Sequence, residues 1–347
     1  MRILIDNYRN LTAEHCGSGS MRNLVYHYCQ LELPEGVIFG LGSGLDCLFF
    51  GMPEATPPFM LFGRSITMEQ DLAAALGLDY QELPELDNEQ AWQQVRQQVI
   101  EGKPTMLSGD IYYLDYRKFK VHFPGHRFVL LGFDDAKREV YIADRTEAAT
   151  QTCSMDALRL SRNPPVGIST ANLWGTFNSS RVANSLPDAC ALALHKTTQR
   201  MLGADPSQLN WIKLATPSEP DWLAGGHAGI DLLGQQLKQW PSDSAAPEYA
   251  AYLVSAITKF GTGGALFRNL FREFIEWAQI QRPDLVSGDC VRLAQHSALH
   301  WAGLSDTMQQ LSDDSRQTTH WSAAQKCLAD AQRAETELFD RLAETVL

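Results

Sequence analysis

A cysteine stands directly before a glycine-serine run in "EHCGSGSMRNLVYHYC", residues 14–29. A thiol attacks as its thiolate, and a free cysteine is mostly protonated at neutral pH. A helix N-terminus, a nearby imidazole and donors for the oxyanion formed after attack correct that. The first is present if a helix starts near Ser18, because Cys16 then meets unpaired N–H groups and the positive end of the helix dipole. Gly17 and Gly19 leave the approach uncrowded. The imidazole must come from elsewhere, since His15 is adjacent in sequence and is expected to point away.

The second partner is sought in "HFPGHRFVLLGFDDAKREVYIADR", residues 122–145. His126 opens one apolar run and Asp144 closes the next. Joined as a hairpin through "DDAKR", the start of one strand lies beside the end of the other. The Asp144 carboxylate would then orient the His126 ring and hold its charge. His122, four residues earlier in a Pro-Gly loop, is the rival imidazole and is read as a substrate-side or structural residue. Cys, then His, then Asp is the papain-like order. Papain-like enzymes commonly carry a glutamine six residues before the cysteine, whose amide donates to the oxyanion; here Asn10 stands at that offset with a shorter reach.

Other motifs offer a substrate wall. In "GDIYYLDY", residues 109–116, Asp110 could meet a cationic amine beside Tyr112 and Tyr113; the alternative is an ordinary strand with packed tyrosines. "GTGGALFR", residues 261–268, reads first as a tight interhelical turn; as a site it would cradle a pantetheine phosphate near Arg268. "GLGSGL" lacks the dinucleotide-binding spacing, and "HSALH" lacks the glutamate and third ligand of a zinc site, so no metal is expected.

The elements that must position these residues follow from periodicity. "SMRNLVYHYC" reads as a helix with Met21, Leu24, Val25 and Tyr28 on one face. "TMEQDLAAALGLDY" and "NEQAWQQVRQQVIEG" are helices, the latter with Ala91, Trp92, Val95 and Val99 aligned. "LPEGVIFGLGSGLDCLFF" reads as a short helix and loops. "PTMLSGDIYYL", "HRFVLLGFD" and "EVYIADR" carry strand signals. Helices followed by an antiparallel sheet predict an α+β first domain. Residues 160–188 read as a connection, and beyond about 189 the apolar spacing is helical almost throughout. The assignment is a catalytic domain over 1–175, a connection over 176–188 and an all-α domain over 189–347.

At 347 residues the chain is too long for one typical core. Its net charge of −12 divides as −7 over residues 1–180 and −5 over the rest, so neither half is a basic arm for nucleic acid. The N-terminus lacks a signal peptide's apolar core, and no stretch is long and apolar enough for a membrane span. Seven cysteines with wide spacings and no CxxC predict free thiols and a cytoplasmic location.

The chain resembles the butirosin biosynthesis protein H family across both domains. "HCGSGSMRNLVYHY", "VIFGLGSGL", "GDIYYLDY", "HFPGHRFVLLGFDD" and "VYIADR" carry the first match, and "FGTGGALFRNLFREFIEWA" marks the helical domain that often follows. The resemblance implies a papain-like fold and an N-acyltransferase in secondary-metabolite biosynthesis. Such an enzyme moves an acyl group from an acyl carrier protein thioester to a small-molecule amine. Cys16 matches the nucleophile, His126 the base and Asp144 the orienter. No resident cofactor is implied, since phosphopantetheine arrives on the carrier. Docking an acidic carrier calls for a basic patch, and "DYRKFK", residues 115–120, is the dense one in the first domain. A thioesterase, a peptidase or a cyclase could use the same triad, and an inactive scaffold protein is a third reading. A homo-oligomer stays open.

Overall fold

The run "HRFVLLGFD", residues 126–134, is buried at all nine positions, as in a strand in the middle of a covered sheet. The computed structural model describes residues 1–165, 169–203, 205–216, 219–314 and 318–346. In chain order its elements begin with β1 (Arg2–Leu4), α1 (Cys16–Cys29), α2 (Glu35–Leu41), β2 (Leu45–Gly51), β3 (Phe59–Arg64) and α3 (Met68–Leu76). Next come β4 (Tyr80–Leu83), α4 (Asn88–Ile100), β5 (Thr105–Gly109), β6 (His126–Asp134), β7 (Glu139–Asp144), β8 (Glu147–Ser154), α5 (Met155–Arg162) and β9 (Trp174–Phe177). The chain continues with α6 (Leu186–Gly203), α7 (Pro206–Ala215), β10 (Leu223–Ala224), α8 (Gly226–Gln239) and α9 (Ala246–Ser255). It ends with α10 (Arg268–Gln281), α11 (Gly288–Asp313) and α12 (Thr318–Val346).

Two compact units result, and each uses two stretches of chain. The first comprises Met1–Glu35 and Gly77–Ala183; the second comprises Gly36–Leu76 and Asn184–Leu347. This corrects the sequence-based division at 175 and 189. Residues 36–76, expected in the first domain, belong with the helices, and the first unit runs on to 183. β9 lies inside the stretch read as a connection from 160, and its pairing with β4 and β5 makes it part of the first unit's sheet.

The first unit is an antiparallel sheet in the order β4-β9-β5-β6-β7-β8, with β1 added alongside β6. β5 pairs with the first half of β6, ending at Gly109↔His126, and β1 takes its last three residues, with Ile3↔Phe133. The other edge of β6 pairs with β7 in an antiparallel hairpin. Val95 and Val99 of α4 pack with Leu107, Phe128, Leu130, Val140, Ile142 and Trp174 in one core. Each such buried aliphatic side chain contributes about 1.5–3 kcal/mol. α4 starts where the Asp87 side chain accepts from the N–H groups of Glu89 and Gln90. β8 is the exposed edge, with four consecutive solvent-facing residues at its start.

The second unit combines helices with a small antiparallel sheet, β10-β2-β3, which corrects the all-α expectation. All seven residues of β2 are buried. A strand covered on both faces loses its two-residue alternation, so its sequence reads like any apolar run. Its helices also carry a buried ion pair. Arg268 donates from Nε and Nη2 to Glu335 at 2.9 and 3.0 Å, and Trp301 Nε1 and Ser297 Oγ donate to the same carboxylate at 2.7 Å. Among the described residues no helix is long and apolar enough to cross a membrane.

Candidate active site

Cys16 is the first residue of α1, one turn earlier than the sequence suggests, and His15 is the N-cap. His15 has extended backbone, φ −117° and ψ 136°, which turns its ring across the first turn of the helix. The Ser18 N–H donates to His15 Nδ1 at 3.1 Å, and Ser18 Oγ lies 3.0 Å from the same nitrogen. Glu35 gathers the rest of the loop. Its Oε1 accepts from His15 N at 2.8 Å and Ser18 Oγ at 2.9 Å, while Oε2 accepts from Glu14 N at 2.9 Å. The Gly19 N–H donates to His15 O. The N–H groups of Cys16 and Gly17 are left without an acceptor among the described residues, as the start of a helix provides.

Gly19 has a second reason to lack a side chain. A Cβ there would lie 2.3 Å from Ala13 Cβ, so the loop before Cys16 packs directly onto the helix. Arg145 fastens that loop to the end of β7: Ala13 N donates to Arg145 O at 2.8 Å, and Arg145 Nη1 donates to Glu14 O at 2.7 Å.

The β6–β7 hairpin brings His126 Nε2 to 2.9 Å from Asp144 Oδ2, with both residues 2% exposed. Tyr116 Oη donates to the same Oδ2 at 2.9 Å, Arg117 Nε lies 3.2 Å from it, and Arg145 N donates to Oδ1 at 2.6 Å. With Nε2 turned to Asp144, Nδ1 is the nitrogen left to face the sulfur. α1 packs against β6, and the His126 and His15 rings both act on the Cys16 thiol.

The electrostatics favour an ion pair. Burial alone pushes the Cys16 thiol up, but the His15 and His126 rings more than reverse it, and its pKa falls well below 9.0. Burial likewise works against the His126 imidazolium, yet Asp144 and Cys16 raise its pKa from 6.5 to about 9. Asp144 is opposed by burial and held well below the usual carboxylate range by His126, Arg117 and the Arg145 N–H. At two other buried thiols burial outweighs the nearby Arg268 and Arg282 charges and pushes Cys47 and Cys190 up to about 12.

The structure corrects several readings of the sequence. His15 does not point away from Cys16. Asn10 is not free to serve an oxyanion: its amide nitrogen donates to Asp144 O at 3.0 Å and Glu147 O at 2.6 Å, and its oxygen accepts from Asn23. Asp110 is buried and does not await a cationic amine. Its Oδ1 accepts from the N–H groups of Tyr112 and Phe123, and Oδ2 lies 2.7 Å from His122 Nδ1. Tyr112 and Tyr113 lie in a short 3₁₀ turn, Ile111–Tyr113, capped by Asp110, rather than on a strand. Tyr112 stacks on the half-exposed His122 ring at 4.1 Å between centroids. Arg268 is 1% exposed on Glu335 and Trp301, and so is a core pin, not a phosphate ligand. Within "DYRKFK", Tyr116 and Arg117 turn inward to Asp144 and leave Lys118, Phe119 and Lys120 exposed. Among the described residues no group of three or more His, Cys, Asp or Glu is placed to hold a metal.

The first unit is thus an α+β unit that joins a cysteine at a capped helix start to an imidazole backed by a carboxylate. The comparisons with known families then specify the chain. Residues 15–145 match the family model "Butirosin biosynthesis protein H, N-terminal", and residues 154–342 match "Domain of unknown function (DUF4872)". The chain belongs to the butirosin biosynthesis protein H family, in the form that carries this C-terminal domain. No curated protein matches the chain.

Proposed function

We propose that the protein is an N-acyltransferase that moves an acyl group from an acyl carrier protein thioester to a small-molecule amine through a Cys16 acyl-enzyme. The reading rests on one observation above all: a buried thiol at a helix start, shifted down by His15 and His126, with the His126 Nε2 held by Asp144. The family points to a biosynthetic role, and the fold is read as papain-like. Seven free cysteines fit a reducing cytoplasm. No resident cofactor is needed, because the phosphopantetheine arm comes with the carrier.

In the resting site Cys16 is a thiolate and His126 an imidazolium. The sulfur attacks the thioester carbonyl, and the N–H groups of Cys16 and Gly17 receive the oxyanion. Collapse expels the pantetheine thiolate, which takes the proton from His126. The now neutral ring accepts a proton from the incoming amine as its nitrogen attacks the acyl-enzyme, and Cys16 leaves as a thiolate. Thioester exchange is nearly isoenergetic and amide formation runs downhill, so no nucleotide is required. His122, steadied by Asp110 and stacked by Tyr112, is a substrate-side residue at the end of the sheet where β6 begins.

Incubation with acyl-loaded carrier protein, followed by intact-protein mass spectrometry, tests this. The expected result is an adduct on Cys16 that persists until an amine is added and is absent in Cys16→Ala. His126→Ala slows its formation by about 10²–10⁴. Rapid loss to water means a thioesterase, and no adduct means a scaffold; both overturn the transferase.

A further inference from the structure

With Asn10 committed to backbone carbonyls, the oxyanion lacks the side-chain donor that its position suggests. A different side chain acts on the sulfur. The His15 ring is 5% exposed, and its Nδ1 lone pair is taken by the Ser18 N–H at 3.1 Å. A neutral imidazole has one donor and one acceptor nitrogen, so the ring proton resides on Nε2. Ser18 Oγ and the His15 N–H are both tied to Glu35, which fixes the ring from behind. The donor that the N-cap ring can offer its neighbour Cys16, whose thiol it shifts down, is therefore Nε2–H.

We infer that His15 is a catalytic donor: its Nε2–H holds the resting Cys16 sulfur and then the oxyanion that forms on the carbon bonded to that sulfur. Sulfur and oxyanion share one carbon, so a donor set beside the first reaches the second with a small shift. No proton is transferred; the N–H bond stays intact while its acceptor changes. This assignment rests on the acyl-transfer reading and gives that reaction the donor Asn10 does not provide. It divides the labour between two rings, with His126 moving protons and His15 holding charge.

Two substitutions separate the ends of the His15 ring. His15→Asn keeps an acceptor where Nδ1 caps Ser18 and removes the distal donor; asparagine is among the best N-caps. His15→Gln keeps a distal amide donor and loses the cap. Each variant is compared in two reactions of Cys16. Alkylation by iodoacetamide forms no oxyanion, whereas acylation by an acyl N-acetylcysteamine thioester does. For His15→Asn the ratio of acylation to alkylation is expected to fall by about 10²–10³, the usual cost of losing one oxyanion donor. His15→Gln should recover part of it. An unchanged ratio in His15→Asn overturns the assignment while leaving acyl transfer intact. A wild-type Cys16 that is alkylated but accepts no acyl group overturns both. Should the variants not fold, the ring tautomer in the wild-type protein decides by ¹⁵N NMR: an Nε2–H ring is expected, and an Nδ1–H ring refutes the role.

Discussion

Asp144 Oδ2 lies 2.9 Å from His126 Nε2 and also accepts the Tyr116 hydroxyl at 2.9 Å, so one buried carboxylate oxygen holds both the ring and the loop at residues 115–120. Its ionisation is opposed by burial and secured by His126 and Arg117 together. The pair is the electrostatic anchor of the site.

That anchor has a pH signature. The His126 pKa is raised from 6.5 to about 9, so its contribution to stability is complete below 6.5 and is lost as pH rises through about 9. Asp144 is depressed from 3.8, so its contribution is complete above 3.8 and is lost as pH falls through the lower folded value. The stability gap between wild type and Asp144→Asn should therefore be widest between 3.8 and 6.5, at about 3–5 kcal/mol, and narrow above about 9. Urea denaturation across that range measures it. A gap that widens with rising pH contradicts the assignment.

Alkylation should single out Cys16. Burial pushes up the thiols of Cys29, Cys47, Cys153, Cys190 and Cys327, while Cys16 is shifted the other way. Brief iodoacetamide treatment at neutral pH and peptide mapping should find Cys16 modified first. Between pH 8 and pH 6 an ordinary thiol loses about a hundredfold in thiolate, and Cys16 should lose far less. At 7% exposure, Cys16 should also react much more slowly with a bulky maleimide than with iodoacetamide.

Gly19→Ala should disturb Cys16 without touching it. The new Cβ meets Ala13 Cβ at 2.3 Å and forces the preceding loop off the helix. We expect a loss of about 1–3 kcal/mol and slower alkylation of Cys16. Adding Ala13→Gly removes the clash and should restore most of both, which a double-mutant cycle on thermal stability and labelling rate would reveal.

Arg268→Ala should act on folding rather than on substrate affinity. It leaves Glu335 buried without its cation, a loss of about 3–5 kcal/mol read by denaturation. A variant with unchanged stability and a raised KM for the carrier would instead restore the phosphate-binding role.

The hairpin was the most readable part of the chain. Two apolar strands around "DDAKR" announce antiparallel neighbours, and His126 and Asp144 stand where such neighbours meet. The Cys16 helix was legible from Met21, Leu24 and Val25, all fully buried. His15 was misjudged because adjacent residues diverge on a regular element, whereas an N-cap is not yet helical and folds back over the first turn. Tyr116 and Arg117 carry no periodic signal in a loop, so their convergence on Asp144 needs the tertiary fold. β2 was missed because a strand buried at every position has no alternation to read. The paired units were missed because a chain that leaves one unit and later returns shows no break in composition.

That excursion governs how the molecule can be cut. A clone stopped after residue 183 would keep residues 36–76 and present the seven buried positions of Leu45–Gly51 with no later helices to wrap them, a recipe for inclusion bodies. Excising 36–76 and splicing Glu35 to Gly77 through a short flexible tether is the rational way to isolate the Cys16 half, and the scissors must fall after Glu35, whose carboxylate still grips the loop before Cys16.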